Sequence, residues 1–571
     1  MASINYSLSF PNPLSHFIEI SVQIKEIVSD ELEVILPDWR PGRYELTNYV
    51  SNVKNFAAQD QDGLPLATNK ASKNRWKIAT KDMERLTISY SYFANKMDAG
   101  SCVVNEEQLY INFSNCLIYC EDSLNNPSIV KADIPSAHKT TCALSYNSEN
   151  TWSASDFYEL ADSPLLASPT LRQLTYNSHT CKFNIFIQGD CPLDDSKVLE
   201  DFKKFTDSQI NQMDGFPTQN YDFIIQSLPY KHYHGVEHKN STVLVLGSNT
   251  DENAAYWEDL MGVASHELFH TWNVTRIRPA EMSPYDFSKE NYYQTGFVTE
   301  GFTTYYGDLF LARSGVFEQV QYFKEINTLL KRHFENYGRH HLSLVDSSFD
   351  LWIDGYKRLL PGRKVSIYVK GALSAWALDL LIRKQSNNQF SLDNLTMDLW
   401  LNFGKKNIGY TKEDIYELIS KYLGDISDDF IKKFYEGTYP IEESLQEALE
   451  HIGCQLTPVD HPENCAGYFG FRIAQQNDRI EIIETAPKSP SERLLSIGDI
   501  ILSVNNDVAT LKNIHSIQSS AKIEVQRNFK KVQIELVSTQ EKYYQLYEID
   551  VCQNADAQCL KNLSLWLGGK S

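Results

Sequence analysis

The segment His266-Glu267-Leu268-Phe269-His270 sets two histidines four residues apart, and no proline interrupts the helix-forming stretch Ala254 to Ser265 before it. On a helix, positions i and i+4 share one face, so both imidazoles reach a single metal ion. Zinc is the expected ion, because it takes neutral nitrogen ligands in a tetrahedral site. Glu267, next to the first ligand, is placed to take a proton from an attacking water. A fold that uses these residues as a metal site holds a helix through them with one face turned to the ion.

Such a pentapeptide also arises by chance, so its context matters. A catalytic zinc keeps three protein ligands and one open position. Downstream, Phe297-Val298-Thr299-Glu300-Gly301-Phe302-Thr303-Thr304-Tyr305-Tyr306 reads as the start of a second helix. Glu300 is set among apolar and aromatic neighbours, where an unpaired buried carboxylate is costly and calls for a cation or a proton. The plain alternative is a solvent-facing Glu that only favours the helix dipole. With the two histidines upstream, the ligand reading is favoured.

The remaining numbers set limits. The 571 residues suggest roughly three or four domains. A net charge of -21 argues against nucleic acid, which needs basic patches. No apolar run reaches the roughly 18–20 residues needed to span a bilayer. The N-terminus lacks a basic and then apolar leader pattern, so the expected location is cytoplasmic. The ten cysteines are scattered without CxxC pairs, as expected of free thiols in a reducing compartment.

Along the chain, residues 1–172 read as a β-rich domain. Alternating runs such as Phe17–Val22 and Leu32–Leu36 are separated by turn residues, including Pro41-Gly42. A β-sandwich-like packing is the simplest for many short strands. Residues 173–455 begin with strands (Phe183–Ile187, Tyr221–Gln226, Thr242–Leu246) and a helix over Asp194–Met213, then become helical. The whole is a multidomain α+β pattern. Residues 456–540 return to β, with strands at Arg479–Ile483, Asp499–Val504 and Val532–Leu536, and a short helix near Ser489–Leu495. Residues 541–571, a C-terminal extension, carry no clear assignment.

HELFHTWNVTRIRP followed by VTEGFTTYYGDL resembles the glycyl aminopeptidase family of PDZ-containing gluzincin metallopeptidases. PDWRPGRY (residues 37–44) is similar to that family's N-terminal signature, and Gly235-Val236-Glu237-His238 to its GxEH stretch. The resemblance covers nearly the whole chain. It implies a thermolysin-like catalytic domain, one zinc ion held by His266, His270 and Glu300, and a C-terminal PDZ-like domain. It further implies peptide substrates with free N-termini and a preference for glycine or alanine.

Other candidates follow from it. Tyr368, in Ile367-Tyr368-Val369-Lys370-Gly371, resembles the tyrosine of a YxKG element that stabilises the transition state in related zinc aminopeptidases; most tyrosines in such a position are simply core. Glu237, after Gly235, sits where a sister family carries its amine-binding Glu, although the motif here is GVEH and not GAMEN. A strand-end Glu in a salt bridge is the even alternative. Asp308 is either an acceptor for a ligand histidine or a solvated surface residue. Arg276 and Arg278 are expected in ion pairs. His232, His234 and His238 cluster near Glu237 without an acidic set for a second metal. Phe469-Gly470-Phe471 resembles a PDZ carboxylate loop, and Ile497–Asn505 a GDxIxxxN segment. The domain then takes peptide C-termini or is a structural module with a closed groove.

Two rivals to an aminopeptidase remain: an endopeptidase with the same zinc chemistry, and a PDZ-bearing scaffold with an inactive peptidase domain. The intact base and ligands weigh against the second.

Overall fold

The computed structural model describes residues 3–247, 253–357 and 360–569. In the strand Phe17–Lys25, Ile18, Ile20, Val22 and Ile24 are buried while the residues between them stay more accessible. That period of two marks a strand with one covered face. It lies inside a seven-stranded sheet, between Ser3–Ser9 and Arg85–Phe93. A three-stranded sheet (Glu31–Ile35, Arg75–Ala79, Thr68–Ser72) packs on it, with Trp76 stacked on Phe56 at 4.3 Å. Facing sheets of this kind give the expected β-sandwich-like domain.

The catalytic region opens with a five-stranded sheet in the order Arg172–Ser178, Cys181–Gln188, Asn220–Leu228, Ser241–Gly247, His232–Glu237. The three inner strands are parallel and most of their residues are buried, as in strands covered on both faces. His232–Glu237 is antiparallel to Ser241–Gly247 and forms an edge. The helix Asn253–Phe269 lies against this edge, with His266 in its last turn and His270 immediately after it.

Glu300 sits in a π-helical turn, Phe297–Phe302, that runs on into the helix Thr303–Arg313. The helix Val369–Gln385 crosses that turn very closely: a Cβ on Gly301 would lie 2.6 Å from the Cα of Gly371. Only two glycines allow this approach, and it brings Tyr368 to the Glu300 turn.

The C-terminal module is a six-stranded sheet that includes Phe471–Gln476, Arg479–Thr485, Ile500–Val504, Ser520–Arg527 and Lys530–Val537, around its own core. The chain then returns to the catalytic helices. Leu546–Val551 pairs with Cys454–Val459 and packs on the helix Gln319–Phe334. The last helix, Ala557–Trp566, buries Trp566, whose indole N–H donates to the hydroxyl of Tyr305 at 2.8 Å. The segment without a clear sequence assignment is thus built into the catalytic core. Among the described residues, no helix is long and apolar enough to cross a membrane.

Candidate metal centre and peptide cleft

The side chains of His266, His270 and Glu300 converge. Nε2 of His266 is 3.1 Å from Nε2 of His270, and the latter is 3.4 Å from Oε2 of Glu300. Metal–ligand bonds of about 2.0–2.1 Å in a tetrahedron put donors roughly 3.3–3.4 Å apart, so this spacing suits one zinc-sized ion. His270 Nδ1 donates to the carbonyl of Asn273 at 2.6 Å, so in the neutral ring the lone pair is on Nε2. The Asn273 amide in turn donates to the carbonyl of Val298 at 2.8 Å, so one residue braces both the His270 turn and the Glu300 turn. Sequence reasoning assigned Asn273 no role of its own, although it lies in the Trp-Asn pair that helped carry the family resemblance.

The electrostatics also favour a cation. Burial, reinforced by His270, holds the His266 imidazole well below the usual histidine range, in its neutral ligand form. Burial opposes charge on His270, yet Glu300 and Glu237 outweigh it and push this group up to about 10. Burial raises the Glu267 carboxyl well above the usual range, with His270 opposing and Glu237 and Glu300 reinforcing. Oε2 of Glu267 is buried without a hydrogen-bond partner among the described residues. Three carboxyl groups packed against two imidazoles, with an orphaned buried oxygen, are the surroundings that a divalent ion relieves.

These residues line a cleft of 420 Å³ that also reaches Gly42, Gly235, Glu237, Asp308 and Tyr368. Tyr368 immediately precedes the helix Val369–Gln385; burial and the nearby Glu300 keep its hydroxyl protonated, and it shares a hydrogen bond with Tyr356. Glu237 is buried beside Glu267 and His270, with ligating atoms of the three within 4.8 Å of one another. Among the described residues Glu237 has no ion pair, so the salt bridge weighed as its alternative is absent.

Several supporting residues differ from expectation. Asp308 lines the cleft but makes no hydrogen bond to either ligand histidine; burial, with Glu325, raises it to about 7. Arg276 and Arg278 have no ion pair among the described residues: they donate to the carbonyls of Lys239, Thr271, Val274 and Thr275, clamping the loop after the HExxH helix. His234 does have an acidic partner, Asp98 from the N-terminal domain, while His238 pairs with Asp162. In the C-terminal module the N–H of Gly470 already donates to the carbonyl of Ala466 at 3.1 Å, and Phe469 and Phe471 are core side chains.

The HExxH helix, a carboxylate from a neighbouring helix beside its two imidazoles and an edge strand along the cleft define a metallopeptidase. The M61 glycyl aminopeptidase domain matches residues 259–374, the M61 N-terminal domain matches residues 5–169, and a PDZ domain matches residues 459–537. None of the curated proteins matches the sequence. A crystal structure of an aminopeptidase N family protein from Idiomarina loihiensis is similar at 25% identity and a TM-score of 0.90, over 99% of this chain and 100% of that one. An M1 zinc metallopeptidase from Deinococcus radiodurans aligns at 14% identity and a TM-score of 0.49, over 77% of this chain and 94% of that one.

Proposed function

We propose that the chain is a zinc aminopeptidase that removes small N-terminal residues, glycine and alanine, from peptides. The observation that carries this reading is the position of Glu237: a buried carboxylate without an ion pair, beside Glu267 and His270 at the edge of the metal site. A free α-ammonium group supplies the missing positive charge there. An endopeptidase would have no use for an unpaired carboxylate at that point.

His266, His270 and Glu300 would hold one zinc ion. Bound there, zinc supplies Lewis acidity, polarising the scissile carbonyl and making water a better nucleophile. Glu267 takes the proton of the attacking water and delivers it to the leaving amine; its raised carboxyl pKa suits a group that must both accept and give a proton. The Tyr368 hydroxyl donates to the oxyanion that develops on the carbonyl. Glu237 accepts the α-ammonium and so sets the distance from N-terminus to scissile bond. Gly235 keeps the edge strand low over Glu267, and the open backbone edge of His232–Glu237 is available to the peptide main chain. The PDZ domain is proposed to take peptide C-termini beside its Phe469-Gly470-Phe471 loop, whose Gly470 N–H is already engaged by Ala466 and so is not the donor. Ten free cysteines fit work in a reducing, cytoplasmic setting.

The deciding experiment is hydrolysis of aminoacyl anilides and their N-acetylated counterparts, with and without a chelator. The reading requires cleavage of the Gly and Ala substrates, no cleavage of acetylated ones, and loss of activity on chelation. Equal cleavage of acetylated substrates would replace it with an endopeptidase.

A further inference from the structure

The metal centre is not built by the catalytic domain alone. Residues 38–47 of the N-terminal domain form a loop that reaches into it, closed by the N–H of Thr47 donating to the carbonyl of Asp38 at 2.7 Å. Catalytic-domain backbone anchors the loop: the N–H of Asp38 donates to Phe287 O at 2.9 Å, and the Trp39 indole N–H to Asp286 O at 2.7 Å. Trp39 is fully buried against Trp352, with ring centres 5.2 Å apart. At the turn, Gly42 has a φ of +78°, and a Cβ there would lie 2.5 Å from Oε2 of Glu237. Two residues on, Tyr44 is 2% exposed between Tyr293 and Trp352, and its hydroxyl donates to Oε1 of Glu300 at 2.8 Å.

That hydrogen bond divides the work of the Glu300 carboxylate. Oε1 faces the N-terminal domain, and Oε2 faces His270 at 3.4 Å. We propose that Tyr44 is a positioning residue of the metal centre: it holds Oε1 of Glu300 so that Oε2 alone is presented as ligand, and the N-terminal domain thereby sets the metal affinity of the catalytic domain. A carboxylate free to rotate would spread its population over orientations that do not ligate. Partners that orient a metal ligand are worth roughly 10–100-fold in affinity.

The inference rests on the metal reading above. Its test is zinc binding by the metal-stripped full chain, measured by competition with a chromophoric chelator. Tyr44→Phe removes one hydroxyl and keeps the ring that fills the space. It should weaken zinc binding roughly ten- to a hundredfold, while the metal-free chain still unfolds in one cooperative transition well above the assay temperature. The same substitution in a Glu300→Ala background should cost nothing further, because the group through which Tyr44 acts is gone. A zinc Kd for Tyr44→Phe within about twofold of the parent overturns the inference. So does an equal loss in the Glu300→Ala background, which would assign the effect to packing. A parent chain that takes up no zinc would bring down the metal reading itself, and this inference with it.

Discussion

The Glu267 carboxylate lies where a side chain at position 235 would begin: a Cβ built on Gly235 falls 2.2 Å from Oε1 of Glu267 and 2.7 Å from Val263. The edge strand and the metal helix approach so closely that only glycine fits between them. Gly235→Ala must push the strand outward or turn the Glu267 carboxylate away. Since general-base catalysis contributes about 10²–10⁴-fold, kcat should fall at least about a hundredfold with zinc content unchanged. Steady-state kinetics beside metal analysis checks this; a kcat near the parent's would show that the strand yields without cost.

Glu267→Gln keeps the shape and removes the base. It should lower kcat by about 10²–10⁴-fold while the protein still binds zinc, because the three ligands are untouched. If activity survives, the proton is carried by another group.

Tyr368→Phe removes the hydroxyl donor at the cleft. Loss of one oxyanion donor costs about 10²–10³-fold in kcat, and KM should change little. A loss confined to KM would make Tyr368 a binding residue and not a stabiliser of the transition state.

Glu237→Gln leaves a neutral amide where the α-ammonium is proposed to sit. A hydrogen bond to a charged group is worth about 1.5–3 kcal/mol, so kcat/KM on free aminoacyl anilides should fall roughly 10–150-fold. Preference for free over acetylated N-termini should narrow with it. An unchanged preference would move the amine site elsewhere.

Lys370 is 1% exposed, and its ammonium has no hydrogen-bond partner among the described residues. Burial, helped by Arg339 and opposed by Glu442, lowers it to about 8. A folded-state pKa below the unfolded one means the unfolded chain binds more protons between about 8 and the ordinary value of 10.5. Stability contributed by this site is therefore present above 10.5 and lost as pH falls through 8. Lys370→Met should remove a cost of up to about 3 kcal/mol at neutral pH and flatten the rise in stability above pH 8. Urea unfolding at several pH values checks both; a destabilised variant at pH 7 would point to an unseen partner for the ammonium.

The proposed metal ligands were legible because their geometry is mostly local. The step of four residues from His266 to His270 makes about one helical turn, and Glu300 stood out as an acid inside an apolar segment. The inner strands were legible for the same reason: Phe183–Ile187 and Thr242–Leu246 are apolar runs. The edge strand His232–Glu237 was not. With one edge open and Gly235 in its middle, its residues alternate neither in polarity nor in burial, and pairing with Ser241–Gly247 decides its conformation. The strand Leu546–Val551 was missed likewise, because its partner lies almost a hundred residues earlier, across the whole PDZ module.

What the sequence carried by itself was the candidate chemistry: two imidazoles and a carboxylate at one helical spacing, an acid downstream, and motifs that resemble one family. What only the tertiary structure decided was who holds that chemistry in place. Tyr44 is 256 residues from Glu300, and no periodicity connects them. Asp98 and His234 meet from different domains in the same way. Side-chain spacing along a helix follows from the backbone's own repeat, whereas a contact between domains follows from which apolar faces are buried together, and that is fixed only once the whole chain has packed.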